Sequence, residues 1–295
     1  MTAPNPFLLP DPEGGPRPLC ELKLSLVFYT DYPPGPNRAR RVYDRYMARF
    51  GTFIREYKPT GGPLMHGPPL PWDGAARAEF EASELPTLQQ VSRWGYGFAS
   101  GQKADSHLFM FHGYKPASEP GKASFFRFEW PWDTAHEVIF AFATEVAEAV
   151  PFLSGTGGYI LQARPHHAAA YDYAYAKAQR YWGLEAWNLD ATVSYVLDGY
   201  KCPSWLTLVG NKLLEKKGQV PGLDDLASHR TSALHGSIFR SREAPDVIDR
   251  NYAAPYPVEQ LVARVLEPIQ IAKHAPFGGT RWDADNTREW LRRFQ

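Results

Sequence analysis

The sequence predicts an α+β protein in which helices pack on a largely antiparallel sheet. Three observations carry that prediction. Strand-like runs lie close enough to pair locally, as HLFMFHGY (107–114) and ASFFRFEW (123–130) do across a hairpin loop. Helical periodicities fall between the strands. No strict strand–helix alternation runs the whole length, as a parallel α/β sheet would require.

Residues 1 to about 20 are rich in Pro and Gly and read as an extended lead-in, ordered only if something pins them. Residues 21–295 read as one domain. Leu22, Leu24, Leu26 and Phe28 alternate with Lys23, Ser25 and Val27, the period of a half-buried strand. After the turn TDYPPGPN, Asn37 can cap a helix that carries Val42, Tyr43, Tyr46, Met47 and Phe50 on one face and stops at Gly51. A strand through Phe53, Ile54 and Tyr57 follows. Residues 59–106 carry no clear period, and within them GGPLMHGPPLPW (61–72), broken by prolines, reads as a long loop.

Thr134 and Glu137 have the spacing of a capping box, and Val138, Phe142, Val146 and Val150 repeat along the helix they would start. GGYILQA (157–163) reads as a buried strand. Tyr171, Tyr175, Ala178 and Trp182 mark another helix, and ATVSYVL (191–197) reads as a strand. Ser204 is placed to cap a helix through WLTLVGNKLLEKK, ended by Gly218. TSALHGSIFR reads as a strand, Pro257 as the first residue of a helix with Leu261, Val262, Val265 and Leu266, and DNTREWLRRF as a short last helix. The β–α–β–β order of the first half partly recurs from residue 122, which is compatible with internal duplication.

Composition excludes several classes. The 295 residues are 44% hydrophobic, enough to build a core. Thirty-two Lys and Arg balance thirty-two Asp and Glu, so the totals lack the basic excess of a protein that grips phosphates or anionic lipid. Two cysteines, Cys20 and Cys202, make neither a disulfide framework nor a zinc site. The N-terminus has no basic-then-apolar signal and no stretch can span a bilayer, so the expected location is the cytoplasm, without nucleic acid or membrane as direct partner.

No catalytic constellation stands out. Pro10-Asp11 followed by Glu21-x-Lys23 imitates the metal-binding pattern of restriction-type nucleases, but Asp11 lies in the lead-in rather than on a strand. Gly155, Gly157 and Gly158 come after a helix and before a strand, the reverse of a phosphate loop, and read as a helix stop and turn. His166-His167 and the pair His107 and His112 lack metal-ligand spacing. There is no G-x-S-x-G. The pairs Asp224-Asp225 and Asp283-x-Asp285 read as solvated loops or helix caps. Arg38, Arg40 and Arg41 on one helix, and Arg288, Arg292 and Arg293 on another, read as solvated faces. No catalytic residue, metal ligand or cofactor is assigned.

Four segments together resemble the TsiV-like family of type VI secretion immunity proteins: LSLVFYTDY, GGYILQ, WLTLVGNKLLEKKG and FGGTRWDADNTREWLRRF. They span residues 22 to 294 in order. The resemblance implies a non-catalytic protein that binds and neutralises a cognate antibacterial toxin, a cytoplasm-acting nuclease effector, by covering its active site or substrate approach. It leaves the oligomeric state open. A nuclease cleft is basic, so Asp283, Asp285 and Glu289 are the expected partner-binding residues, on charge and loop position alone. The alternative is a metal-dependent or hydrolytic enzyme whose site is assembled from residues distant in sequence. A scaffold component of a secretion or defence system is a third reading.

Overall fold

The computed structural model describes residues 4–15, 17–33, 35–59, 68–90, 93–101, 106–186, 188–252 and 256–295. The centre of the molecule is strand β1 (Cys20–Thr30), which is buried along its whole length rather than half-buried. Its even residues, Leu22 to Phe28, face one layer of helices. Its odd residues face the other way, toward a second layer: Lys23 meets the Ser106 carbonyl, and Val27 and Tyr29 join an apolar cluster with Val193 and Val196.

The lead-in is pinned. The Asn5 side chain donates to the Leu22 carbonyl at 3.0 Å, Phe7 is buried, and Leu9 pairs with Cys20. Helix α1 (Pro36–Phe50) follows, capped by Gly35 with Pro36 in its first turn, not by Asn37. The predicted apolar face is buried as expected, with Ala39 added.

Phe53 belongs to a 3-10 turn, and strand β2 starts only at Glu56 (Glu56–Pro59). Residues 61–67 of the expected long loop lie outside the described residues, and its end forms the short strand β3 (Leu70–Pro71). Beyond it come α2 (Gly74–Glu79) with Asp73 as its cap, π- and 3-10 turns, and β4 (Arg93–Ala99). β5 (Leu108–Tyr114) and β6 (Ser124–Pro131) form the predicted antiparallel hairpin.

Helix α3 (His136–Ala149) begins two residues after Thr134, which makes no cap, and Glu137 instead pairs with Arg240. Its buried face is Ile139, Phe142, Ala143, Val146 and Ala147, while Val138 is exposed. β7 (Ser154–Ala163) contains the glycines read as a turn, and α4 (Ala168–Arg180) and the short β8 (Leu184–Glu185) come next.

Two segments exchange type. ATVSYVL continues helix α5 (Leu189–Thr192) into turns, its valines 193 and 196 packed under the sheet. The start of WLTLVGNKLLEKK is strand β9 (Leu206–Gly210), so Ser204 caps no helix and α6 (Asn211–Lys217) begins only at Asn211. A five-residue apolar run has no period by which to tell a buried strand from a buried helix turn. TSALHGSIFR is a hairpin, β10 (Arg230–Ala233) and β11 (Gly236–Arg240), turning at Leu234 and His235. α7 (Pro257–Leu266) and α8 (Ala284–Leu291) lie as predicted.

Among the described residues the sheet has eleven strands, ordered β10-β11-β9-β7-β1-β6-β5-β4-β2-β3, antiparallel except where β8 joins β7. A duplicated β–α–β–β unit is not shown: the strand after α1 lies toward an edge beside β4, whereas the strand after α3 pairs with β1. α1 and α3 cover the even face. There Phe142 meets Phe128 edge-on at 4.9 Å and Tyr46 stacks on Phe128 at 5.7 Å, geometry that rings favour. On the odd face, α7 belongs to an apolar cluster with Val209 and Phe239, and residues 189–196 pack on Val27, Tyr29 and Phe125.

Candidate functional site

The second layer leaves part of the odd face open over β5 and β6. The opening is a recess of about 510 Å³, floored by Met110, His112 and Arg127 and walled by Tyr171 of α4, Asp190 of α5 and Trp282. A smaller recess of about 180 Å³ adjoins it, lined by Glu21, Glu56, His107 and Glu129, and the two share Gln162.

Strand alternation places the polar side chains here. Ser25, Val27, Arg127 and Glu129 share a face because Ser25 lies opposite Glu129 and Val27 opposite Arg127. The charges are tied to one another. Arg127 Nε donates to Glu129 at 2.7 Å, and Lys23 Nζ donates to the Ser106 carbonyl at 3.0 Å and lies 3.6 Å from Glu21. Deeper in the layer, Glu185 accepts from Thr156 Oγ1 at 3.0 Å and from Ser204, and pairs with Lys201.

Two histidines and both thiols owe their shifted ionisation to burial. Burial pushes the His107 imidazole down to about 4, helped by Lys23, and its ring stacks on Phe53 at 4.2 Å. Burial likewise pushes His274 down to about 4, and the ring lies beside Phe277 and Thr192. Burial raises the Cys20 thiol to about 12 and raises that of Cys202 too, so neither is a ready thiolate. No group of three His, Cys, Asp or Glu side chains among the described residues is placed to hold a metal ion.

The nuclease-like residues do not converge. Asp11 accepts from Arg164 at 2.6 Å and from the Glu13 amide, and these bonds hold its carboxyl below the usual range. Gly155, Gly157 and Gly158 lie inside β7; a Cβ at Gly155 would meet the Val27 carbonyl oxygen at 2.1 Å, while Gly157 and Gly158 are crowded by the side chains of Leu26 and Ser204 at 3.1 Å. His166 adopts a left-handed backbone (φ 62°) at the rim of the larger recess, and His167 is the N-cap of α4 through its carbonyl, its side chain making no cap hydrogen bond. Arg293 is not on a solvated face: it is buried and donates to the carbonyls of Trp182 and Trp290.

The expected contact residues cluster on α8. Asp283 is the N-cap, accepting from the amides of Asp285 and Asn286 in a full capping box. Asp285 pairs with Arg288 at 2.7 Å, and Glu289 is exposed. Asp283→Ala is expected to lower the unfolding free energy by about 1 kcal/mol, seen as a lower urea midpoint at unchanged slope. An unchanged midpoint would mean that the cap contributes nothing.

Sequence reasoning missed the recess, whose lining comes from β5, β6, β7, α4, α5 and the segment before α8. The one signal was charge set inside apolar strands, as in FFRFEW.

No helix among the described residues is long and apolar enough to cross a membrane. A search of curated proteins gives no match. Among solved structures, the chain is similar to the Pseudomonas aeruginosa T6SS protein PA0821, with a TM-score of 0.77 and 16% identity over 98% of this chain and 87% of that one, a likeness of fold. The family model TsiV, described as type VI immunity for VRR-NUC, matches residues 39–294. The match covers nearly every element described above, from α1 to α8, and the chain therefore belongs to the TsiV family of type VI immunity proteins.

Proposed function

We propose that this chain is a non-catalytic immunity protein that binds a cognate VRR-NUC nuclease effector in the cytoplasm and blocks it by covering its active site or substrate approach. The observation that carries the reading is the family match over residues 39–294. Neutralisation needs no cofactor, only a stable contact, which typically buries about 1,200–2,000 Å².

The test is co-expression with the active effector encoded beside the chain. Growth is expected to be restored, the purified pair to run as a complex, and DNA cleavage to fall to background once the chain saturates the effector. Persistent killing by the effector in the presence of well-folded chain would sink the reading.

A contribution from Asp283, Asp285 and Glu289 is part of this proposal. It is expected to be small, because Arg281, Arg288 and Arg292 stand among these carboxylates. Asp283→Lys combined with Asp285→Lys should weaken effector binding by less than roughly tenfold, as rim charges do. Unchanged affinity would remove α8 from the contact.

A further inference from the structure

We propose that the effector docks on the surface that carries Tyr32, Arg38, Arg41, Lys212 and Leu234, and that this surface takes an acidic face of the nuclease flanking its basic cleft. The inference rests on the immunity reading above and names the contact that it leaves open.

Exposed apolar side chains are the first observation. Tyr32 is 60% exposed and Leu234 65%, and both belong to residue types that a fold normally shelters. Neither is on a slack tail. Tyr32 follows β1 directly, and its carbonyl accepts from Thr30 Oγ1 at 2.7 Å. Leu234 is at the tip of the β10–β11 turn, where its carbonyl accepts from Asn211 Nδ2 at 3.2 Å. The Asn211 amide donates to the next carbonyl, that of His235, at 3.0 Å. The first two residues of α6 thus join the two anchors, since Lys212 Nζ lies 5.4 Å from the centre of the Tyr32 ring. Anchors already held by the fold lose little freedom on binding.

Charge is the second observation. Arg38 and Arg41, one helical turn apart on α1, are exposed and have no ion-pair partner among the described residues. Arg40 between them is neutralised by Asp44, and Lys212 by Asp31. Arg38, Arg41 and Lys212 lie within electrostatic reach of the His235 imidazole in the turn and add to the burial that lowers its proton affinity. Glu148 is the carboxylate nearby. Uncommitted guanidinium groups and an exposed tyrosine are the side-chain types in which binding hot spots are enriched.

The partner chemistry follows from charge complementarity. Guanidinium groups bind carboxylates in a bidentate fork. Nucleic acid would also meet the arginines, but it has no use for an aliphatic side chain at Leu234, and the chain as a whole is uncharged. A protein face that is acidic around an apolar centre matches both halves of the patch.

The test measures binding of full-length chain to the neighbouring-gene effector, inactivated by alanine at one of its metal-binding carboxylates. Arg38→Glu with Arg41→Glu is expected to weaken binding roughly 100-fold, and Tyr32→Ala with Leu234→Ala roughly tenfold or more. All four positions are exposed, so the thermal midpoint should not move. The charge-matched reversal Arg250→Glu with Arg264→Glu, at exposed positions in neither proposed contact, should leave affinity within about threefold. If wild-type chain binds and neutralises the effector while both patch variants bind equally well, the docking surface is wrong and the immunity reading stands. If wild-type chain neither binds nor neutralises, both fall. Binding of a DNA duplex by wild-type chain that the arginine reversal abolishes would overturn the assignment of a protein partner.

Discussion

Glu185→Ala is expected to lower the stability of this protein by about 3–5 kcal/mol, a loss characteristic of breaking one side of a buried ion pair. Glu185 and Lys201 have side chains only 2% and 3% exposed, so water screens neither of them. Lys201 would keep the Ala186 carbonyl at 2.8 Å and the faces of Phe277 and Trp290, but no anion. Thr156 and Ser204 would lose the acceptor they share. The midpoint of thermal unfolding should fall by on the order of 10 °C. Replacing both partners by apolar residues, Glu185→Leu with Lys201→Met, should recover most of the loss, since the desolvation penalty of the pair disappears with it. A single variant as stable as wild type, or a double variant no better than the single, would show that the pair is not coupled as the geometry implies. Phe277 and Trp290 lie in the segment that also supplies Trp282 to the recess, so tryptophan fluorescence should report a loosened wall at that site.

A second substitution, Gly155→Ala, should be nearly as damaging or worse. A Cβ at that position would sit 2.1 Å from the Val27 carbonyl oxygen, which is backbone of the central strand and has no rotamer to change. Relief would require β1 and β7 to move apart where Phe28 faces Gly155 in the ladder. The expected loss is about 4 kcal/mol or more, in the range reserved for overpacked or strained core sites. The readout is soluble yield and the urea midpoint. Gly74→Ala is the comparison, because nothing lies within 4 Å of its added Cβ and it begins a helix, so it should be neutral or mildly stabilising. Equal behaviour of the two variants would refute the close approach at Gly155.

Much of the fold was legible because one period governs each element. α1 kept every residue of its predicted face, and α7 and the β5–β6 hairpin lie where alternation and turn residues put them. Local rules failed where a distant contact outranked them. Thr134 and Glu137 have capping-box spacing, but Glu137 is engaged by Arg240 and the helix starts later. ATVSYVL has the β-branched content of a strand, but its valines fill the space beneath Val27 and Phe125 in turns. The lead-in looked unanchored because its anchors, Asn5 to Leu22 and Asp11 to Arg164, cross 17 and 153 residues.

The candidate site divided in the same way. Asp283, Asp285 and Glu289 were visible as charges, and the sequence could also supply their bland role, since an aspartate three residues before Asn286 is a helix-cap pattern. Tyr32, Arg38, Lys212 and Leu234 carried no joint signal, being scattered over two hundred positions. What the sequence determined by itself was the α+β class, the type of the strongly periodic elements, and membership of the TsiV family, because these depend on residue order within a short window or on its match to a family pattern. The tertiary structure alone decided which strand is central, which charges cancel and which apolar side chains are left in water. Those properties are set by who lies beside whom after the sheet has closed.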